Sequence, residues 1–174
     1  MTRAARWRTW LSEDGKREIL DAARHHHPKE IGGVLIGVHA EGRPWVTLAI
    51  TVPSAKPRAT YYEIPAGARH RAVATARRRD KRLGYLGDWH SHPFDVGPSD
   101  TDRETMRELA SDSLSGCSRP VLLIARRRAE HYWLDARQQT RRSLRPLTLI
   151  AAGPLVKDAD ADACLDPEPR RASP

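Results

Sequence analysis

The chain has 174 residues, of which 39% are hydrophobic and 30% are charged. This length and composition suit one soluble globular domain with a hydrophobic core, and the chain is too short for two domains that each have such a core. No apolar run approaches the roughly 20 residues of a membrane span, and nothing at the N-terminus has the character of a signal peptide, so we expect a cytoplasmic protein with no membrane partner. The formal net charge of +8 excludes little by itself, because nucleic-acid-binding proteins and ordinary solvated surfaces can both be basic.

The first half of the chain shows one helical pattern followed by strand patterns. Apolar residues recur at helical spacing from Glu13 to His27, and Pro28 ends this first predicted helix. The next elements are predicted in chain order as strand 31–38, turn 41–44, strand 45–52, loop 53–60, brief strand 61–64 and helix 65–81. The two longer strands, on either side of the turn, form a predicted hairpin.

The second half contains strands around one more helix. Its predicted elements are strand 83–89, helix 99–114 and strands 120–124, 131–134 and 143–150. These helices and strands together predict one mixed domain over residues 1–153. Beyond Gly153 the sequence has little to bury, so residues 154–174 are predicted to form a flexible tail.

The most informative pattern lies between Gly87 and Asp102. Residues two apart at the end of a strand point to the same face, so His90 and His92 can present both imidazoles to one point. Ser99 and Asp102 lie three apart at a predicted helix start, so both can project back toward the histidines. Two imidazoles and one carboxylate are a ligand set that Zn²⁺ accepts, and three protein ligands leave a fourth position for water, as in catalytic sites.

A hydrolytic zinc site also requires a group that takes a proton from water and protonates the leaving amine, and one carboxylate can do both. Glu30 is the best candidate elsewhere in the chain. It almost directly precedes Gly32 and Gly33 in a predicted strand, where glycines permit close backbone approach. The spacing alone does not establish that Glu30 meets the two histidines.

Together these pieces resemble the JAMM (MPN-plus) zinc metalloproteases, a family that includes eukaryotic deubiquitinases and many prokaryotic relatives. The matching pieces are Glu30 before the Gly-Gly strand, the segment 87–93, and Pro98-Ser99 with Asp102. The resemblance covers the order of elements from about residue 12 to residue 150. It implies a single α/β (α+β) JAMM/MPN domain with a curved mixed β-sheet flanked by helices.

The resemblance also implies a role for each residue of the site. His90, His92 and Asp102 bind Zn²⁺ in such a site. Glu30 handles the water as acid and base, and Ser99 helps to stabilise the tetrahedral oxyanion. This chain departs from the family in one respect, because six residues separate the second histidine from the serine, whereas the family commonly has seven. The departure concerns the placement of Ser99.

The segment in which Trp89 precedes His90-Ser91-His92-Pro93, in so small a chain, most resembles that of the bacterial JAMM peptidases of antiphage operons. Those enzymes accompany E1-like and E2-like conjugation enzymes, either beside cGAS-like cyclases or with a bacterial ubiquitin-like protein. The resemblance therefore implies a deubiquitinase-like isopeptidase that acts in antiviral defence. Its substrate would be the bond between a ubiquitin-like or conjugated protein C-terminus and a target, with the conjugation enzymes as partners.

Three other functions remain open. A JAMM peptidase can instead process a small sulfur-carrier protein. A non-catalytic MPN scaffold is less favoured, because such scaffolds usually lack the ligands that are present here. A nucleic-acid-associated function rests on the net charge and on basic runs at 77–82, 126–128 and 141–142, but no aromatic residue is interleaved in these runs for base stacking. We interpret the runs as solvated surface.

Other chemistry-bearing residues have more ordinary interpretations. The consecutive histidines at 25–27 point in different directions, so favourable charge placement at a helix end is preferred to a second metal site. Asp88 and Asp95 flank the site, and we interpret them either as contacts for a basic substrate tail or as solvated residues. Trp89 is predicted to pack in the core. Cys117 has no evident histidine partner and the second cysteine lies in the predicted tail, which indicates a structural thiol and no disulfide framework.

Overall fold

A short strand, Arg8–Ser12 (β1), leads directly into the helix Glu13–His26 (α1), whose first turn is capped by the Ser12 hydroxyl accepting a hydrogen bond from Gly15 N. The computed structural model describes residues 7–54, 61–112 and 115–155. The other elements follow in chain order as β2 (Gly32–Ala40), β3 (Arg43–Val52), α2 (Ala68–Arg77), β4 (Gly84–His92), α3 (Asp100–Ser111), β5 (Val121–Arg128), β6 (His131–Gln139), β7 (Leu144–Pro146) and β8 (Thr148–Ala152).

The described strands form one mixed sheet in the order β7-β6-β5-β4-β2-β3-β1-β8. β4 and β5 run parallel, as do β1 and its neighbours β3 and β8, and the remaining pairs are antiparallel. β7 and β8 lie at opposite edges of the sheet, yet only Leu147 separates them in the chain. Since one residue spans about 3.5 Å, the sheet must curve until its two edges approach each other. Leu147 N donates to Ala136 O at 2.8 Å, and Thr148 N donates to Trp7 O at 2.9 Å.

The three helices among the described residues divide between the two faces of this curved sheet. Side chains alternate between the faces along each strand. Leu35 and Leu123 belong to the core that contains α1. Their neighbours Val34 and Leu122 belong to the cores that contain α2 and α3, respectively. Alternate side chains of the central strands therefore point either to α1 or to the face that α2 and α3 cover.

The structure confirms a mixed α+β domain with a curved sheet flanked by helices, and it differs from the predicted elements in three places. The sequence pattern does not predict β1, whose partners β3 and β8 are distant in the chain. The predicted strand 143–150 is two strands on opposite edges of the sheet, because the chain crosses between the edges at Leu147. The predicted strand 61–64 is only a bridge at Tyr61.

Several element boundaries also differ. α2 spans Ala68–Arg77 instead of residues 65–81. β4, β5 and β6 continue to His92, Arg128 and Gln139 instead of ending at residues 89, 124 and 134. Residues 55–60 of the predicted loop, the end of the helix predicted to reach residue 114, and the predicted tail from residue 156 lie outside the described residues. None of the described helices is long and apolar enough to cross a membrane.

Gly33 provides a test of how closely β2 approaches its neighbours. A Cβ at this position would lie 1.8 Å from Ile50 O and 2.8 Å from Trp89 Nε1. Because backbone and a buried indole cannot easily move away, Gly33→Ala is expected to lower the free energy of unfolding by more than about 2 kcal/mol in chemical denaturation. Gly153→Ala is the control, since a Cβ there has no neighbour within 4 Å, and its expected effect is below about 0.5 kcal/mol. Equal stability of the two variants would contradict this close approach.

Candidate metal centre

Strand β4 carries two histidines on the face of the sheet that α3 covers. His90 and His92 are two residues apart in the strand, so their side chains point the same way, while the intervening Ser91 points to the other face. Trp89 lies on that other face, fully buried in the core that contains α1. Both imidazoles are buried. The continuation of β4 to His92 therefore holds both rings on a regular strand rather than on a loop.

Asp102 reaches these histidines from the first turn of α3. Ser99 caps the helix: its Oγ accepts a hydrogen bond from Asp102 N at 3.1 Å, and the Asp102 carboxylate accepts one from Ser99 N at 2.7 Å. This reciprocal capping box begins the helix and orients the carboxylate. Oδ1 of Asp102 lies 3.2 Å from His90 Nε2, and Oδ2 lies 3.7 Å from His92 Nε2.

The Nε2 atoms of His90 and His92 and the carboxylate of Asp102 converge on one point. The two nitrogens are 3.0 Å apart, and one donor atom from each of the three residues lies within 4.8 Å of the others. This group, found in the part of the chain that the structure describes, is able to hold a metal ion. Three protein ligands leave further coordination positions open to water or substrate.

The close contact between His90 and Asp102 dominates the electrostatics of this cluster. Burial acts to lower the pKa of His90, but the hydrogen bond to Asp102 and the charge of that carboxylate outweigh it and raise the pKa. Burial acts to raise the pKa of Asp102, but His90 and the hydrogen bonds from Ser99 hold it well below its usual range. Burial and the neighbouring His90 lower the pKa of His92. A metal ion binds an ionised carboxylate and neutral imidazoles, so the lowered pKa values of Asp102 and His92 favour the forms of these two residues that can bind one.

His92 has a second contact, through its other ring nitrogen. Nδ1 of His92 lies 3.0 Å from the carbonyl oxygen of Val96. A carbonyl oxygen can only accept a hydrogen bond, so this contact requires the hydrogen on Nδ1 and leaves the lone pair on Nε2 directed at the cluster. The loop after β4 thus holds His92 in the tautomer that a metal ligand requires.

Glu30 precedes β2 and lies beside the histidine strand. The next residue, Ile31, exchanges two hydrogen bonds with Ser91, since Ser91 N donates to Ile31 O at 2.7 Å and Ile31 N donates to Ser91 Oγ at 3.1 Å. Glu30 is buried, and this burial is the main reason that its pKa rises to about 7, while His90 acts to lower the pKa and Asp102 to raise it. The structure therefore brings Glu30 into the electrostatic field of the cluster, with a pKa suited to proton transfer at neutral pH.

Ser99 lies at the exposed rim of the cluster. Its hydroxyl oxygen accepts the hydrogen bond from Asp102 N, and the hydroxyl hydrogen remains able to donate, because a hydroxyl group both donates and accepts. The six-residue loop from Pro93 to Pro98 is long enough to join β4 to this cap. The shortened loop therefore still allows Ser99 to lie at the N-terminus of α3, directly beside Asp102.

Comparisons with known proteins establish the family of the chain. A family model described as prokaryotic homologs of the JAB domain matches residues 12–145. The chain belongs to this JAB-domain family. Its members include peptidases and non-catalytic proteins. The solution structure of a protein from Desulfitobacterium hafniense, a structural genomics target, has the same fold, with a TM-score of 0.64 and 21% identity over 84% of this chain and 94% of that one. No curated protein matches the chain.

An open cavity of about 270 Å³ lies beside the candidate metal ligands of this JAB domain. His90 and Asp102 form part of its lining. Tyr61, Tyr62 and Ile64, which come shortly before α2, form another part. The cavity therefore gives a ligand access to the cluster along a lining that contains several apolar side chains.

Exposed apolar side chains are concentrated near the same site. Among the described residues, the large hydrophobic side chains that remain exposed are Tyr61 (38%), Phe94 (64%), Val96 (53%) and Trp133 (41%). Tyr61 lines the cavity, and Phe94 and Val96 belong to the loop that follows His92. Trp133 joins this loop, since its Nε1 donates to Asp95 Oδ1 at 3.2 Å. Clustered exposed apolar residues mark surfaces that contact a partner or a ligand.

Asp88 is neither a solvated residue nor a free contact for a basic substrate, and both interpretations of it are wrong. Its carboxylate is buried and accepts hydrogen bonds from Arg69 Nη2 at 2.6 Å and from Tyr85 Oη at 3.0 Å. The alternation of β4 places Asp88 on the same face as the histidines, which the sequence could indicate. No local pattern distinguished Arg69 among 30 Lys and Arg residues.

The remaining chemistry-bearing residues have structural partners. Asp95 is bound by Arg126 and Arg128 at 2.9 and 2.7 Å, so it is not a free acceptor for a substrate tail. His27 Nδ1 contacts Tyr132 Oη at 3.1 Å, and the histidines at 25–27 do not belong to the metal-binding group found among the described residues. Cys117 is buried, and burial raises the pKa of its thiol, which agrees with a structural role.

The pKa of Glu30 predicts a pH-dependent stability of the metal-free protein. This pKa is about 7 in the folded chain, against an ordinary value of 4.5, so the folded state holds the proton more tightly. Stability associated with Glu30 is therefore complete below about pH 4.5 and is lost as the pH rises through about 7. Glu30→Gln cannot ionise, and at about pH 8 it is expected to be more stable than the wild type by about 2 to 3 kcal/mol, with no such gain near pH 4.

Urea unfolding of the metal-free protein at several pH values measures this difference. Glu130→Gln serves as the control, because the Glu130 side chain is 84% exposed and its replacement should change stability equally at each pH. A difference between Glu30→Gln and wild type that stays constant from about pH 5 to about pH 8 would be inconsistent with a raised pKa.

Proposed function

We propose that this JAB-domain protein is a zinc-dependent peptidase or isopeptidase. Its substrate would be the bond that joins a ubiquitin-like or otherwise C-terminally conjugated protein to its target, and E1-like and E2-like conjugation enzymes would be its partners. The observation that carries this proposal is the convergence of His90, His92 and Asp102 beside the buried Glu30. Metal ligands and a proton-transferring carboxylate together are the chemical requirements of metal-assisted hydrolysis.

The spacing of the three ligand groups fits zinc. In a tetrahedral site with metal–ligand bonds of about 2.0 to 2.2 Å, neighbouring donor atoms are about 3.3 Å apart. The corresponding distances are 3.0 Å between the Nε2 atoms of His90 and His92, and 3.2 and 3.7 Å from these atoms to the Asp102 carboxylate. When bound, the zinc ion would polarise the scissile carbonyl group and lower the pKa of a water molecule.

Glu30 supplies the proton transfer in this proposal. Hydrolysis of an amide requires that a proton leave the attacking water and that a proton reach the departing amine. Burial already raises the pKa of Glu30 in the metal-free protein, and in this proposal the Glu30 carboxylate accepts the first proton and then, as a carboxylic acid, donates it to the amine. Its burial keeps bulk water away from this exchange, so that the proton passes between the reacting groups.

Ser99 supplies a hydrogen-bond donor. The Ser99 hydroxyl lies next to Asp102 at the N-terminus of α3, with its hydrogen not required by the capping box. As the carbonyl carbon becomes tetrahedral, negative charge develops on its oxygen, and a donor at a helix N-terminus stabilises that charge. Ser99 therefore acts on the oxyanion, whereas Glu30 acts on the water and the amine.

A polypeptide is the substrate class that the surroundings favour. The open cavity reaches His90 and Asp102, and Phe94, Val96 and Trp133 expose apolar surface near His92. An extended chain can contact such separated apolar residues while one peptide bond lies at the cluster. The narrower choice of a ubiquitin-like protein is supported by the resemblance of the segment around His90 to the JAMM deconjugating peptidases.

Two alternatives are less well supported. A non-catalytic scaffold does not require three ligand groups converging beside a buried carboxylate. A nucleic-acid function is weakened by the run at 126–128, because Arg126 and Arg128 pair with Asp95, and Arg127 pairs with Glu130. Processing of a small sulfur-carrier protein would use the same chemistry, so substrate profiling with both kinds of protein separates it from deconjugation.

The metal content tests the first part of the proposal. Purified wild-type protein is expected to bind about one Zn²⁺ per chain, as measured by elemental analysis and by competition with a chromophoric chelator. His92→Ala removes one ligand and is expected to abolish stoichiometric binding. His25→Ala alters an exposed histidine outside the cluster and should bind zinc like the wild type. A wild-type protein that binds no zinc, or a His92→Ala variant that binds it normally, would exclude the proposed site.

Hydrolysis of a ubiquitin-like protein carrying a C-terminal extension tests the second part. Glu30→Gln retains the three ligands, so it should still bind zinc while the cleavage rate falls by about 10²- to 10⁴-fold, the contribution typical of general acid–base catalysis. Glu130→Gln, an exposed change of the same kind, should cleave like the wild type. Wild-type cleavage rates in Glu30→Gln would rule out this role for Glu30.

A further inference from the structure

We propose that Asp95 is a positioning residue for the metal site, which fixes the loop whose backbone holds His92. Asp95 lies between Pro93 and Val96 in the loop that follows β4. The proposal rests on the metal site described above and does not depend on the hydrolytic activity. It is carried by the contacts of the Asp95 side chain and backbone with strands β5 and β6, which lie on one side of β4.

Three side chains from neighbouring strands hold the Asp95 carboxylate. Oδ1 lies 2.9 Å from Arg126 Nη2 and accepts a hydrogen bond from Trp133 Nε1 at 3.2 Å. Oδ2 accepts a hydrogen bond from Arg128 Nε at 2.7 Å. Arg126 Nη2 also donates to the Asp95 backbone oxygen at 3.1 Å. Such charge-assisted contacts are the strong ones among protein hydrogen bonds, and here they restrain both the side chain and the backbone of one residue.

The sheet places these donors in a row beside the metal ligand. His92 on β4 is paired with Arg126 on β5, and Arg126 is paired with Trp133 on β6. The Arg126 guanidinium lies 4.5 Å from the centroid of the Trp133 ring, and its Nη1 donates to Asp135 Oδ2 at 3.0 Å. Arg126 is therefore held from several directions, and it provides a rigid support for Asp95.

The consequence for His92 follows from the next residue in the loop. The Val96 carbonyl oxygen, one residue after Asp95, lies 3.0 Å from His92 Nδ1. A loop free to move would not keep this oxygen in place, and the imidazole would then sample other orientations and the tautomer with the hydrogen on Nε2. The Asp95 contacts thus maintain the orientation and the tautomer of a metal ligand, through residues that do not touch the metal position. Outer contacts of this kind commonly change metal affinity by about 10- to 100-fold.

Zinc affinity tests the proposal without requiring a substrate. Asp95→Ala is expected to raise the zinc dissociation constant, measured by chelator competition, by about 10- to 100-fold. Asp95→Asn, which keeps one acceptor oxygen, should restore part of the lost affinity. Glu130→Gln removes the ion pair between Arg127 and Glu130, which lies in the turn from β5 to β6, and should change the constant by less than about twofold, as expected for an exposed pair. Should Asp95→Ala fail to fold, Arg128→Gln, which removes one exposed donor, is expected to weaken zinc binding to a smaller extent.

A spectroscopic measurement separates positioning from a general structural effect. In metal-free protein labelled with ¹⁵N-histidine, the wild-type His92 ring should show the hydrogen on Nδ1, and Asp95→Ala should shift it toward a mixture of tautomers. A zinc dissociation constant of Asp95→Ala within about twofold of wild type would overturn the proposal. Weaker zinc binding with an unchanged His92 tautomer would also overturn it. Because both readouts need no substrate, their outcome is independent of whether the protein hydrolyses a conjugate.

Discussion

The carboxylate of Asp102 connects the start of helix α3 to the histidine strand, and the candidate site depends on this connection. One of its oxygens accepts the backbone N–H of Ser99 and so completes the helix cap, while the two oxygens face the Nε2 atoms of His90 and His92. A partly buried carboxylate is stable only where donors or cations surround it. The helix cap and the two imidazoles meet that need, so the same group that begins α3 also defines the metal position.

The neighbouring Glu30 adds a second acidic group to this buried region, which costs stability. Its raised pKa shows that the surroundings disfavour its charged form when no metal ion compensates. Such a cost is typical of functional sites, where groups are arranged for a reaction rather than for the most stable fold. A bound cation would be attracted by both carboxylates, so the arrangement that is unfavourable in the metal-free protein would favour the binding of a metal ion.

The approach of β2 to β4 makes this arrangement possible. A Cβ on Gly32 would lie 2.4 Å from Trp89 O and 2.4 Å from a Tyr62 ring carbon, so glycine is required where the chain leaves Glu30 and enters the sheet. The pairing of Ile31 with Ser91 then fixes the position of Glu30 along the histidine strand. On the same face of the sheet, Arg69 and Arg126 neutralise the carboxylates of Asp88 and Asp95. These two arginines are therefore not free to bind phosphate.

The sequence by itself determined the local parts of this site. The two-residue period of a strand places His90 and His92 on one face, and the Ser99–Asp102 spacing encodes a capping box, since both depend only on neighbours in the chain. The periodic helix α1 and the hairpin of β2 and β3 follow from the same kind of local signal.

Only the tertiary structure decided which of these parts meet. Glu30 reaches the cluster through a pairing of Ile31 with Ser91, 60 residues apart, and strand register over such a separation leaves no local trace in the sequence. The same holds for β1 and for the division of 143–150 between two sheet edges, because both depend on how far the whole sheet curves. Asp88 and Asp95 likewise acquired their arginine partners from the packing of separate strands and helices. The charge of an aspartate does not determine which of many arginines pairs with it, whereas the distances between these side chains in the folded chain do.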